Sequence, residues 1–254
     1  MKLLELFITE TTEEDRAILS LSSTIYNHIQ KYTDYVDPKD TSPLDVGRID
    51  DFCSTPLEDL SVIDIQLLHG PTLRAKVKND SGEKEDDVEV DHSGKVILGA
   101  WYPNIATIYI NADYITSNAI KSTIAHELRH ALDDLKSSGQ ASKDNGKYRT
   151  PKKKEHRKKD PYADENYPYI AQPAEINARF IQVLHAVTNQ ISRGSHLPSD
   201  QLWTRAMTSL KHSMQVNKIS KLFPEKEASP EYKRLIKRAA DYIQKEIAYQ
   251  KSIE

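Results

Sequence analysis

Residues 117–135 repeat their apolar side chains with the period of an α-helix, and this helix has two stripes that both look like buried surfaces. The apolar stripe consists of Ile120, Ile124, Leu128, Ala131, Leu132 and Leu135. Roughly opposite lie Ala119, His126, His130 and Asp133. An apolar, β-branched run at residues 105–110 comes shortly before. The pattern predicts a strand, a short connection and then this two-stripe helix.

The rest of the chain has helical periodicity at both ends and short apolar runs between them. Thr11, Thr12, Glu14 and Asp15 make a capping pattern, and apolar residues between 18 and 32 then share one helical face. Turn residues separate apolar runs at 62–68, 72–77, 87–90, 95–101 and 105–110, which favours an antiparallel sheet. Helical patterns return at 173–191, 199–215 and 230–250.

These elements predict an α+β fold with a small, mostly antiparallel sheet. The 254 residues are enough to bury a substantial core. We expect residues 1–136 to contain the N-terminal helix, the sheet and the two-stripe helix. Residues 137–170 are polar and basic, which predicts a loop or lid, and residues 171–254 predict a C-terminal helical subdomain.

Composition excludes several classes of protein. Charged residues make up 29% and hydrophobic residues 38% of the chain, which argues against a disordered protein. The single cysteine, Cys53, excludes an intrachain disulfide and thiolate zinc clusters, so any zinc must use His and carboxylate ligands. The sequence has no secretory signal pattern and no run of roughly 20 apolar residues. We therefore expect a cytoplasmic protein, in the producing or host cell, with no membrane partner.

The two-stripe helix contains the pentapeptide His126-Glu127-Leu128-Arg129-His130. Histidines four residues apart stand one turn above each other, so both imidazoles can reach one ion at the zinc–nitrogen distance of about 2.0–2.1 Å. Glu127 is displaced around the helix, where its carboxylate can act on a metal-bound water as a general base. The alternative is an ordinary charged helix with solvated or internally hydrogen-bonded histidines.

The strand "IATIYIN" followed by a helix with "HELRH" resembles the zincin metallopeptidases. This resemblance implies a Zn²⁺ cofactor, His126 and His130 as ligands, Glu127 as the catalytic base, and a strand at the cleft edge that pairs with extended substrate. The metzincin pattern would place Gly at 133 and His at 136, where this chain has Asp133 and Lys136. That subclass is therefore rejected.

A catalytic zinc site needs a third protein ligand, and the segment "QPAEINARF" contains the best candidate. Pro173 suits the first turn of a helix, and Glu175 follows where the helix dipole favours an ionised carboxylate. With Ala178 one turn later, the segment resembles the E-x-x-A of glutamate-ligand (gluzincin-like) zincins, including small phage-encoded predicted metallopeptidases. Arg179 replaces the Asp or Asn of that pattern, and a plain Glu175–Arg179 ion pair is the alternative. Rival ligands are His156, Asp164, Glu165 and His185.

Several other residues are candidates for supporting roles. Tyr162, Tyr167, Tyr169 and His156 precede Glu175 and are candidates to stabilise an oxyanion. Asp133 or Asp134 could accept a ring N–H from a ligand histidine, and solvent exposure is the alternative for each. The basic run at 152–159 suits an acidic partner or nucleic acid, and a solvated loop is its alternative.

Together these features predict a zinc-dependent metallopeptidase that hydrolyses a protein or peptide substrate. One alternative is a catalytically silent, zincin-like metal-binding protein with a structural or regulatory role. The other is a nucleic-acid-binding module that uses the basic run at 152–159. The sequence specifies neither a cleavage preference nor an oligomeric state.

Overall fold

A computed structural model describes residues 12–35, 42–68, 76–77, 86–87, 97–137, 139, 173–223 and 229–253. Its α-helices and strands are, in chain order, α1 (Thr12–Ile29), β1 (Leu44–Arg48), α2 (Ile49–Phe52), β2 (Asp64–Leu68), β3 (Lys76–Val77), β4 (Asp86–Asp87), β5 (Gly99–Tyr102), β6 (Thr107–Asn111), α3 (Asn118–Lys136), α4 (Pro173–Arg193), α5 (Ser199–Val216), α6 (Ile219–Leu222) and α7 (Pro230–Ser252). The described fold is mixed α+β, as the sequence predicts, and it is mostly helical.

Contacts divide the chain into two compact units. The sheet unit comprises residues 20–136, and the helical unit comprises residues 1–19 together with 137–254. Helix α3, which is the two-stripe helix, therefore ends the sheet unit. Helices α4, α5, α6 and α7 belong to the helical unit.

The sheet unit contains a four-stranded mixed sheet in the order β1-β2-β6-β5. The two outer pairings are antiparallel, whereas the central β2–β6 pairing is parallel. The sheet is thus mostly antiparallel, as predicted, and the parallel central pairing is the exception that the sequence does not indicate. The pattern within one strand carries no information about its direction, and the long connection from β2 to β6 leaves room for the crossover that parallel strands need.

Strand β1 lies at one edge of the sheet and has no counterpart among the predicted strands. Its register against β2 shifts between Asp45 and Gly47, where Gly47 has a φ of 104° and donates its N–H to Asp45 Oδ1 at 2.9 Å. Such a bulge breaks the two-residue alternation by which strands are recognised. Only Val46 is buried in this strand, so the apolar signal is weak as well.

Each predicted strand overlaps an observed one, with different bounds. The runs at 62–68, 95–101 and 105–110 contain or overlap β2, β5 and β6. Of the runs at 72–77 and 87–90, only Lys76–Val77 and Asp87 are described, in the small antiparallel β3–β4 pair. Strand β6 is central, and all five of its residues are buried.

The core of the sheet unit confirms the predicted apolar stripe of α3. The five residues Ile120, Ile124, Leu128, Ala131 and Leu132 are at most 1% exposed. Leu135, at the end of the stripe, is half-buried. The helix packs on β5 and β6, so the core stripe holds it against the edge and the centre of the sheet.

The helical unit has its own core around α4, which packs on α5 and α7. The predicted apolar face of α4 is buried, with Ile176, Phe180, Val183, Leu184 and Val187 all at most 3% exposed. His185, on the same helix, is also buried. None of the described helices is both long and apolar enough to cross a membrane.

A buried ion pair joins the first residues of α1 to α7 within the helical unit. Arg238 Nε donates to Asp15 Oδ2 at 2.7 Å, and Arg238 Nη2 donates to the other oxygen of the same carboxylate. The guanidinium also lies over the ring of Phe180, 5.1 Å from its centroid. Because Asp15 is fully buried, its charge depends on this partner for compensation.

We predict that Asp15→Ala lowers the free energy of unfolding by about 3–5 kcal/mol, because it leaves the Arg238 charge buried without its carboxylate. The matched control is Glu13→Ala on the same helix. Glu13 pairs with Lys245 at 3.5 Å but is 79% exposed, so its loss should cost about 0–1 kcal/mol. Urea denaturation of both variants measures the difference, and equal losses would contradict the assignment.

Candidate metal centre

Helix α3 brings the two histidines of the pentapeptide together. The Nε2 atoms of His126 and His130 lie 3.0 Å apart, and the two rings meet edge to face with centroids 4.6 Å apart. Both side chains are half-buried. Two nitrogens bound to one tetrahedral ion, each at about 2.0–2.1 Å, would be roughly 3.3 Å apart. The observed separation is therefore close to that of two ligands of a single cation.

The same separation is also a hydrogen-bonding distance. In the absence of a cation, one Nε2 carries a proton and donates to the other, and the tautomer decides which ring is the donor. A cation bound by both nitrogens needs a lone pair from each, so the proton must leave this position. The histidine pair by itself thus fits both a metal site and internally hydrogen-bonded histidines.

Glu175 lies in the first turn of α4 and is 1% exposed. Its Oε1 accepts a hydrogen bond from Arg179 Nε at 2.6 Å, and Arg179 Nη1 approaches the carbonyl of Asn217 at 3.5 Å. The alternative expectation of an i,i+4 ion pair is therefore realised. Because a carboxylate has two oxygens, this pair leaves the ligand role open.

The predicted ligands form one group. His126, His130 and Glu175 each offer a ligand atom, and these atoms lie within 4.8 Å of one another. This group of two imidazoles and one carboxylate could hold a metal ion, and the donor set suits Zn²⁺ as well as other divalent transition metals.

The carboxylate of Glu127 is held by the backbone of β5. Its Oε2 accepts a hydrogen bond from the Trp101 N–H at 2.9 Å, and the residue is 8% exposed. The Leu98 carbonyl accepts from the Asn111 N–H, so the backbone groups of Leu98 point toward β6. Along an antiparallel strand the backbone groups of successive residues point alternately toward the partner strand and away from it. The N–H of Trp101, three residues later, therefore points away from β6. Glu127 therefore accepts a hydrogen bond from an N–H on the outer edge of the sheet.

Gly99 allows the close approach of α3 to β5. A Cβ atom at this position would lie 2.7 Å from Thr123 Cγ2 and 3.4 Å from Glu127 Cγ. Real Cβ contacts are not as short as the first of these distances, so any side chain at position 99 would push the helix or its side chains outward. The absence of a side chain at Gly99 is thus a condition for the Glu127–Trp101 hydrogen bond.

A second carboxylate on α3 is neutralised within the helix. Arg129 Nη2 donates to Asp133 Oδ1 at 2.6 Å, and both side chains are fully buried. Asp134 is buried too, at 4% exposed. Solvent exposure, one of the two expectations for these aspartates, is therefore wrong. Arg129 and Asp133 are buried partners, so the Asp133 carboxylate compensates the charge of Arg129 within the helix.

Other predicted site residues lie outside the described part of the chain. These are His156, Tyr162, Asp164, Glu165, Tyr167, Tyr169 and the basic run at 152–159. Their proposed roles as oxyanion donors, rival ligands or an acidic-partner surface stay predictions.

Sequence reasoning missed the contribution of Gly99 and Trp101. The glycine interrupts the apolar run "KVILGAW", which is a signal of close backbone approach in a strand. The Trp101 contact uses the backbone N–H, which every residue except proline carries, so no residue type could have indicated it.

Comparison of the chain with models of known protein families, with curated proteins and with solved structures finds no match.

We predict that Gly99→Ala lowers the free energy of unfolding by about 1–3 kcal/mol, through overpacking against Thr123 and Glu127. Thr123→Ser removes the nearest atom, Cγ2, and keeps the hydroxyl that donates to the Ala119 carbonyl at 3.0 Å. The double variant should therefore regain most of the loss. Urea denaturation of the four proteins in this double-mutant cycle measures the coupling, and strictly additive losses would contradict the contact.

Proposed function

We propose that this chain is a zinc-dependent metallopeptidase in which His126, His130 and Glu175 hold the metal and Glu127 is the general base. The observation that carries the proposal is the group of three ligand atoms within 4.8 Å of one another. It contains the histidine pair of the pentapeptide and the carboxylate that the resemblance to glutamate-ligand zincins implies. Zn²⁺ held by these three residues would lower the pKa of a water molecule and polarise the carbonyl group of a substrate.

Glu127 supplies the proton chemistry in this proposal. Its carboxylate follows His126 directly in the helix, so it lies beside the ligands without being one of them. The hydrogen bond from the Trp101 N–H restricts Glu127 Oε2, which orients the carboxylate before a substrate binds. It would accept the proton of the attacking water and then transfer it to the amine of the leaving peptide.

The silent metal-binding alternative shares the ligands with the peptidase and differs in turnover. A specific hydrogen bond on the general base favours the peptidase, because binding a metal does not require an oriented carboxylate at position 127. The nucleic-acid-binding alternative depends on residues 152–159, and no contact of the described residues bears on it.

We predict about one zinc ion per chain after loading and dialysis, and substoichiometric zinc in His126→Ala and in His130→Ala, because a tetrahedral site needs each ligand. Glu175→Ala should also bind less zinc. His212→Ala is the matched control, since His212 is exposed on α5 and should leave the zinc content unchanged. Elemental mass spectrometry measures the metal, and full zinc in Glu175→Ala would exclude Glu175 as the third ligand.

We predict that Glu127→Gln retains zinc but slows peptide hydrolysis by about a hundred- to ten-thousandfold, the usual contribution of a general base. The amide that this substitution introduces can still accept from the Trp101 N–H through its carbonyl oxygen, so the variant should keep the local geometry. Cleavage of a mixed peptide library by the zinc-loaded protein, read by mass spectrometry, measures the effect. A wild-type protein that holds zinc and cleaves nothing would support the silent metal-binding alternative instead.

A further inference from the structure

The proposed third ligand, Glu175, is held by an arginine on its own helix. Arg179 Nε donates to Glu175 Oε1 at 2.6 Å, and the two residues are four apart on α4. Glu175 is 1% exposed, so its charge needs a nearby partner. A carboxylate followed four residues later by a cation is the favourable order on a helix. The pair therefore fixes one oxygen of Glu175 to the next turn of α4.

The guanidinium of Arg179 is also attached to α5, which packs on α4 within the helical unit. Its Nη1 approaches the backbone carbonyl of Asn217 at 3.5 Å. Asn217 is the C-cap of α5, where the helix dipole favours a cation. Asn217 is itself fixed, because its backbone N–H and its side-chain Nδ2 both donate to the Ser213 carbonyl. Arg179 thus connects the Glu175 carboxylate to the end of a second helix.

This contact differs from the ion pair at the other end of the helical unit. Arg238 donates to both oxygens of Asp15, which is the strong two-bond pairing of a guanidinium with a carboxylate. Arg179 instead donates to one oxygen of Glu175 and directs a second donor to a backbone carbonyl. A carboxylate that is held through one oxygen keeps a defined orientation and can still offer its other oxygen to a cation.

We propose that Arg179 is a positioning residue that orients the Glu175 carboxylate before a metal ion binds. This inference rests on the zinc-binding part of the proposed function. A long side chain loses rotamer freedom when it binds an ion, and a partner that restricts it beforehand removes part of that entropic cost. Arg179 acts through Glu175 and does not itself touch the metal.

The positive charge of Arg179 has the opposite effect, because it repels a cation. Two features weaken this repulsion. The Arg179 side chain is 22% exposed, so water screens its charge, and the carbonyl end of α5 compensates part of it. We therefore expect the gain from orientation to exceed the loss from repulsion. The sign of the effect of Arg179 on zinc affinity separates the two.

The test measures the zinc affinity of Arg179 variants by competition with a chromogenic chelator. Arg179→Met removes the donors and keeps an unbranched stem, and we expect it to bind zinc about ten- to a hundredfold more weakly than wild type, the usual contribution of a partner that orients a ligand. Arg179→Lys keeps the charge without the planar fork, so its affinity should lie between the two. Unchanged or tighter zinc binding by Arg179→Met would overturn the proposal. If Arg179→Met fails to fold, wild-type affinity in Arg179→Lys would overturn it equally.

Arg205→Met is the matched control. Arg205 Nε donates to Gln190 Oε1 at 3.0 Å and so links α5 to α4, as Arg179 does. Gln190 lies 15 residues beyond Glu175, roughly 22 Å along the helix axis. This variant should bind zinc as the wild type does. An equal loss of zinc affinity in Arg205→Met would attribute the effect to weakened packing of α4 on α5, and would overturn the proposal.

A double-mutant cycle shows whether Arg179 acts through Glu175. Arg179→Met should have no further effect on zinc affinity in a Glu175→Ala background, because the carboxylate that it orients is absent. The same loss in both backgrounds would overturn this inference and leave the metal site in place. Wild-type protein that binds no zinc would overturn both.

Discussion

The close packing of helix α3 on the edge strand β5 is the contact on which the rest of the candidate site depends. Gly99 removes the side chain that would separate the two elements, and the Trp101 N–H then reaches the carboxylate of Glu127. The same hydrogen bond occupies an outward-facing donor of the edge strand, where an unpaired N–H would otherwise invite pairing with another chain. One contact therefore orients a carboxylate and covers part of an exposed edge.

Charge compensation follows a common scheme in both helices that carry candidate site residues. Asp133 pairs with Arg129, and Glu175 pairs with Arg179, each four residues away on its own helix. Both carboxylates are buried, so each would be costly without a partner. The two pairs differ in exposure, since Arg129 is fully buried whereas the Arg179 side chain is 22% exposed. A partly hydrated Arg179 is the weaker competitor for its carboxylate, which suits a residue that we propose as a metal ligand.

The sequence predicts the helices and the candidate metal ligands because these depend on periodicity, on short spacings and on a resemblance to known motifs. The apolar stripe of α3, the apolar face of α4 and the grouping of His126, His130 and Glu175 all follow from residues at helical intervals or from one motif. The bulged strand β1 and the parallel β2–β6 pairing do not, because bulges and strand direction are decided by contacts between distant segments. The ion pair of Arg238 with Asp15 is equally invisible, since it joins residues at opposite ends of the chain.

An ordinary charged helix could contain the same pentapeptide, so the difference between the two interpretations must come from burial and from partners. Three charged residues of α3 are at most 8% exposed, namely Glu127, Arg129 and Asp133. Each of these charges would be better stabilised by water at a surface. Stability alone is a poor explanation for three buried charges so close together, because apolar residues of similar volume often serve a core as well or better. A cation held by the neighbouring histidines would attract the buried Glu127 carboxylate more strongly than it would attract a hydrated carboxylate at a surface. Burial of the Glu127 carboxylate would therefore cost less free energy beside a bound cation than in a helix that binds none.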